Sequence, residues 1–111
     1  MHDGAGKRAL LLMAALAVMV FLSGCAEQKP DAERQAVDAC KSLCASQLSG
    51  GANLSDGPCL SNGVASGWVC DVAHDPRQPV DDEPANQCSA YGVSASHFVE
   101  VDADCDLIRA V

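Results

Sequence analysis

The apolar and polar positions of this chain fall into three stretches of different character. Residues 9–22 form an unbroken apolar run of 14. Residues 32–48 alternate instead. Val37, Cys40, Cys44 and Leu48 recur at steps of three and four and share one helix face, which Leu43 broadens. Glu33, Arg34, Lys41 and Gln47 fall largely outside that stripe. Asp31 is placed to cap the start, and Ser49-Gly50-Gly51 stops the periodicity. The pattern predicts a helix over 32–48, with Cys40 and Cys44 one turn apart on the same side.

Beyond residue 49 the elements become short. Residues 50–63 are rich in Gly, Asn, Ser and Asp, with Asp56-Gly57-Pro58 as a turn signal, and read as a loop held by Cys59. Residues 67–73 read as a strand, with Trp68, Cys70 and Val72 facing one way and Val69 and Asp71 the other. Residues 74–86 are a loop punctuated by Pro76, Pro79 and Pro84. A short helix is expected over 84–92, with Pro84 at its first position. Residues 98–102 read as a second strand, and Leu107-Ile108 close the chain. The expected fold is α+β: a small domain with one N-terminal helix on a short antiparallel sheet, joined by long loops.

The first apolar run has a separate meaning. It is too short for a spanning helix, which needs about 20 apolar residues, and Lys7 and Arg8 precede it as in a signal peptide. Leu22-Ser23-Gly24-Cys25 follows. This tetrapeptide resembles a lipobox, the cleavage and lipidation signal of prokaryotic lipoproteins. All four positions match: aliphatic, small, Gly, then Cys. The resemblance implies cleavage after Gly24 and a lipid on the Cys25 sulfur. The expected organisation is a signal peptide over 1–24, a lipidated tether over 25–31 and a domain over 32–111. Ala26, not Asp, follows the lipidated cysteine. In a Gram-negative source that implies the outer membrane, or else a periplasmic face; otherwise the outer face of the cell membrane is expected.

Composition then changes the picture of the domain. Without residues 1–24, Leu, Ile, Val and Phe number 16 of 87. A content below about 20% with high net charge gives disorder unless another constraint acts. Cysteine supplies one. With Cys25 assigned to lipid, Cys40, Cys44, Cys59, Cys70, Cys88 and Cys105 remain. An even number in an oxidising compartment predicts three disulfides. Six cysteines allow 15 pairings, and the expected set is Cys40–Cys70, Cys44–Cys59 and Cys88–Cys105. Zinc and redox chemistry are the rivals, and the lack of any Cys-x-x-Cys pair weakens both.

Residues 25–111 carry 5 Lys and Arg against 14 Asp and Glu. Such a surface repels nucleic acid. The length excludes a multidomain enzyme or a polytopic membrane protein. No cofactor is expected, but two acidic clusters are candidate cation sites that calcium would suit. One is Asp81-Asp82-Glu83; the other is Asp102, Asp104 and Asp106, spaced as at the start of a calcium loop. An EF-hand is excluded, because its sixth position would be Leu107 rather than Gly. His74 with Asp75, and His97, are the histidines available for catalysis, but no Gly-x-Ser-x-Gly is present and Ser66-Gly67 is a poor substitute. Trp68 is expected in the core beside a disulfide.

Residues 68–77, then Asn86-Gln87-Cys88, then 97–102 and Cys105 are similar to a group of small exported cysteine-rich proteins of archaeal genomes. That likeness implies one exported domain without a catalytic motif. The leading expectation is therefore a lipid-anchored, disulfide-stapled binding or interaction module, not an enzyme, meeting a protein, glycan or cation through loops such as 74–87. The alternatives are a small exported hydrolase using His74 or His97, and a purely structural envelope lipoprotein.

Overall fold

In the computed structural model, residues 28–111 are described; Cys25, the lipobox and the apolar run lie outside them. The helix α1 spans Gln28–Ser49, beginning four residues earlier than the periodicity indicated. Asp31 is thus inside the first turn rather than the cap. Pro30 is tolerated there because first-turn amides need no intrahelical acceptor. The C-terminus closes as a Schellman motif. The Ala52 amide donates to the Gln47 carbonyl and the Gly51 amide to Leu48, both at 3.0 Å, with Gly51 at φ +87°.

Four strands follow: β1 Cys59–Ala65, β2 Trp68–Val72, β3 His97–Val101 and β4 Leu107–Ala110. They form one sheet in sequence order. β1–β2 and β3–β4 are antiparallel, but β2 and β3 run parallel, so the sheet is mixed rather than purely antiparallel. A parallel neighbour demands a crossover, and residues 73–96 supply it. This crossover contains two 3₁₀ turns, Pro79–Asp82 and Pro84–Asn86, and no longer helix. The helix expected over 84–92 shrinks to that second turn, with Pro84 at its start as anticipated.

Strand β1 overlaps residues 50–63, which composition predicts as loop. It carries Ser61-Asn62-Gly63, poor strand formers, and the register slips between Cys59 and Ser61 and again between Ser61 and Ala65. Ser66 and Gly67 form the two-residue turn into β2, with Gly67 at φ +79°.

Alternation gives the sheet two different faces. Trp68, Cys70, Val72, Val99 and Val101 pack with Ala36, Cys40 and Cys44 of the helix and with Leu54. These side chains are small, so hydrophobic burial is modest at roughly 1.5–3 kcal/mol for each valine. Covalent links strengthen the same interface. Cys40 bonds Cys70 and Cys44 bonds Cys105, fastening successive helix turns to β2 and to the β3–β4 turn. The third bridge, Cys59–Cys88, lies on the opposite face and ties the crossover to β1. Of the expected pairs only Cys40–Cys70 forms. Cys44 takes Cys105, because the β3–β4 turn arrives beside the helix, which leaves Cys59 and Cys88 for each other. Trp68 is 8% exposed, within the cluster that holds the Cys40–Cys70 bridge, and its ring stacks on His97 at 4.5 Å. Residues 32–111 form one compact unit. Among the described residues no helix is long and apolar enough to cross a membrane.

Candidate functional site

The face turned away from α1 is built from the other half of the alternation. Pairing aligns Asp71, Glu100 and Arg109 in one row across β2, β3 and β4, with Val69 and Phe98 in the row beside it. The crossover adds Arg77, Gln87, Cys88 and Tyr91. Together they line a half-open cavity of about 170 Å³. Tyr91 meets Phe98 edge-on at 5.3 Å, and the Arg109 guanidinium lies 5.8 Å from the Phe98 ring centre.

Charge in the cavity is distributed unequally. The Glu100 side chain, 6% exposed, accepts from Arg77 Nη1 at 2.9 Å and from Arg109 Nε at 3.2 Å. Arg77 also donates to Asp82 at 2.8 Å and to the Asp81 carbonyl at 3.3 Å. Asp71 has no such partner: its Oδ1 is buried and makes no hydrogen bond. Burial first, and the neighbouring Glu100 carboxylate second, push the Asp71 carboxyl up to about 7, against an opposing pull from Arg77. Near neutrality Asp71 therefore exchanges a proton at little cost, and its oxygen either accepts or donates.

A second polar cluster shapes the crossover. Asp81 is fully buried and accepts from the backbone amides of His74 at 3.0 Å and Gln78 at 2.9 Å, and from His74 Nδ1 at 2.9 Å. Burial alone would raise the Asp81 carboxyl; the amides of Gln78 and His74 and the imidazole outweigh it and hold it below its usual range. An ionised Asp81 can only accept, which places the ring proton on Nδ1. Gly57, at φ +68°, lies against this carboxylate, and a Cβ there would collide with Asp81 Oδ1.

The residues singled out in the sequence are dispersed. Asp81 binds His74, Asp82 binds Arg77, and Glu83 sits between the two 3₁₀ turns. Asp102 Oδ1 accepts from the amides of Asp104 and Asp106 at 2.9 and 3.0 Å, shaping the β3–β4 turn. No group of three or more His, Cys, Asp or Glu side chains among the described residues is arranged to hold a metal ion. His74 pairs with Asp81, not with its neighbour Asp75, and no hydroxyl or thiol among the described residues hydrogen-bonds its ring. His97 opens β3 and stacks on Trp68, at the opposite end of the sheet from His74. Sequence reading missed Asp71, Arg77, Glu100 and Arg109 as a group. One charged residue in each of three otherwise mostly apolar strands was the available signal, but it means a shared row only once the pairing is known.

No family model, curated protein or solved structure matches the chain. Three disulfides in a small domain fit an extracellular-type, oxidising environment.

Proposed function

We propose that this protein is an exported binding module, tethered to the cell envelope by lipid on Cys25, whose ligand enters the cavity on the sheet face opposite α1. The observation that carries the binding reading is the unpartnered Asp71 Oδ1 in that cavity. Buried polar atoms are nearly always bonded, so an unpartnered carboxyl oxygen on a residue that lines the cavity marks where a ligand group gains a hydrogen bond once the side chain turns toward it. The rest of the cavity is prebuilt. Glu100 is fixed by two arginines, and the crossover wall is fixed by Cys59–Cys88. The tether rests on the lipobox-like Leu22-Ser23-Gly24-Cys25, and export agrees with the three disulfides.

Two measurements test this reading. Intact mass of the full chain expressed in an exporting bacterium should show loss of 24 residues, a lipid adduct on Cys25 and no free thiol. An unlipidated Cys25 refutes the tether. A fragment screen followed by amide shifts should perturb Val69, Asp71, Phe98 and Glu100. A library of cations, anions and neutral polar fragments that leaves all four unmoved refutes the binding reading.

A further inference from the structure

We infer that the cavity receives one neutral, hydroxyl-bearing ring, such as a single pyranose unit of a glycan or free sugar. This rests on the binding-module reading and names its ligand class. The size comes first. At about 170 Å³ the cavity holds the equivalent of roughly five or six waters, well short of the ~300–1,000 Å³ of sites that engulf drug-sized ligands. It fits one ring, not an extended chain.

Charge balance then selects the class. Two guanidiniums, Arg77 and Arg109, face two carboxyl groups, Asp71 and Glu100. A carboxylate or phosphate ligand could take the Nη groups of Arg109, but it would then sit against the Glu100 carboxylate and beside Asp71. An ammonium ligand would sit beside two arginines. A hydroxyl meets neither objection, because it donates and accepts at once. It can donate to the Asp71 carboxyl when that group is ionised and accept from it when it is protonated. The remaining capacity is mixed in the same way. Arg109 spends only Nε on Glu100, which leaves its two Nη groups as donors at the rim. Gln87 Nε2 reaches the Asp81 carbonyl, which leaves its Oε1 as an acceptor. The apolar lining of Val69, Phe98 and Tyr91 offers a surface for the C–H face of a ring. Alternating donors and acceptors over an apolar floor match a polyol better than any ion.

The test uses the full-length oxidised protein, isotope-labelled, in a detergent without sugar headgroups. Free neutral monosaccharides, short neutral oligosaccharides, glucosamine and glucuronate are titrated separately. Neutral sugars should shift the amides of Val69, Asp71, Phe98 and Glu100. Arg109→Gln and Tyr91→Ala change half-exposed rim residues, and each should weaken binding about tenfold, the loss expected for one good contact, while amide shifts in the free variants stay confined to the neighbourhood of Glu100 and Phe98. Tighter binding of oligosaccharides than of monosaccharides assigns the ring to a glycan; equal binding assigns it to a free sugar. Shifts from glucosamine or glucuronate alone overturn the neutral-ring inference and leave the binding module standing. Neutral sugar binding that neither variant weakens also overturns it, since the ring then sits elsewhere. Silence from every charge class overturns both.

Discussion

Asp71 and Glu100 are register partners on parallel strands β2 and β3, yet both arginines of the cavity bond Glu100. Two adjacent carboxyl groups thus have different surroundings. Glu100 is bracketed by guanidiniums. Asp71, partly buried and unpartnered at Oδ1, holds its proton up to about pH 7. In the unfolded chain the same group releases it near the ordinary value of 3.8. The folded state therefore binds the extra proton, and the contribution of Asp71 to stability is greatest at acid pH. It falls as pH rises from about 4 through 7, with a slope of at most about 1.4 kcal/mol per pH unit. Urea denaturation of wild type and Asp71→Asn from pH 4.5 to 8 should show a difference that changes with pH across this window. Parallel stability curves for the two proteins would contradict the assignment.

Asp81 has the reverse sign. Its carboxyl is held low, so it stabilises the fold above its unfolded value and that contribution is lost as pH falls below about 4. Asp81→Asn replaces an acceptor of the His74 and Gln78 amides by a half-donor in a sealed site. We expect a loss of about 2–4 kcal/mol by chemical denaturation. Asp82→Asn, on a side chain 64% exposed, serves as the control, with an expected change within about 1 kcal/mol.

Gly57→Ala should be among the most damaging small substitutions in the domain. The position has φ +68°, and an added Cβ meets Asp81 Oδ1 and lies 3.1 Å from the Val72 carbonyl. The left-handed conformation alone costs roughly 1–2 kcal/mol for a residue with a Cβ, and displacement of Asp81 adds to it. Gly63→Ala, where nothing lies within 4 Å, should leave the melting temperature within a few degrees of wild type, since a surface change is worth about 0.5 kcal/mol.

The three bridges should differ in weight. Cys44–Cys105 spans 61 residues, against 30 for Cys40–Cys70 and 29 for Cys59–Cys88. Loop-closure entropy puts the first near 4.3 kcal/mol and the others near ~3.7. Paired Cys→Ala variants should therefore all unfold at lower denaturant, with Cys44/Cys105 lowest. Loss of Cys59–Cys88 should in addition weaken any ligand of the cavity, because it releases the wall that carries Gln87 and Tyr91.

The elements with strong periodicity were legible in the sequence. Val37, Cys40 and Cys44 marked the helix, and the alternation from Trp68 to Val72 marked both faces of β2 correctly. Strand β1 was hidden because Ser61-Asn62-Gly63 bulges out of the ladder and lacks strand chemistry. The parallel pairing of β2 with β3 was hidden because it depends on tertiary contacts across 24 intervening residues, for which no local pattern exists. That one pairing error also concealed the site. Asp71, Glu100 and Arg109 are 29 and 9 positions apart, and only the register places them in a row. The acidic runs that drew attention instead serve as turn and loop anchors through Asp102 and Asp81.

The crossover of residues 73–96 is both a topological necessity and one wall of the cavity. Its ends are set in neighbouring strands, its middle is pinned by Cys59–Cys88, and its inner side rests on Asp81. The helix and the other two bridges do not depend on it. Such a segment behaves as an exchangeable panel on a fixed frame. Gln87, Tyr91 and their neighbours can be rewritten, by drift or by a directed library, to give the same scaffold a new ligand preference while the core of valines and cystines stays as it is.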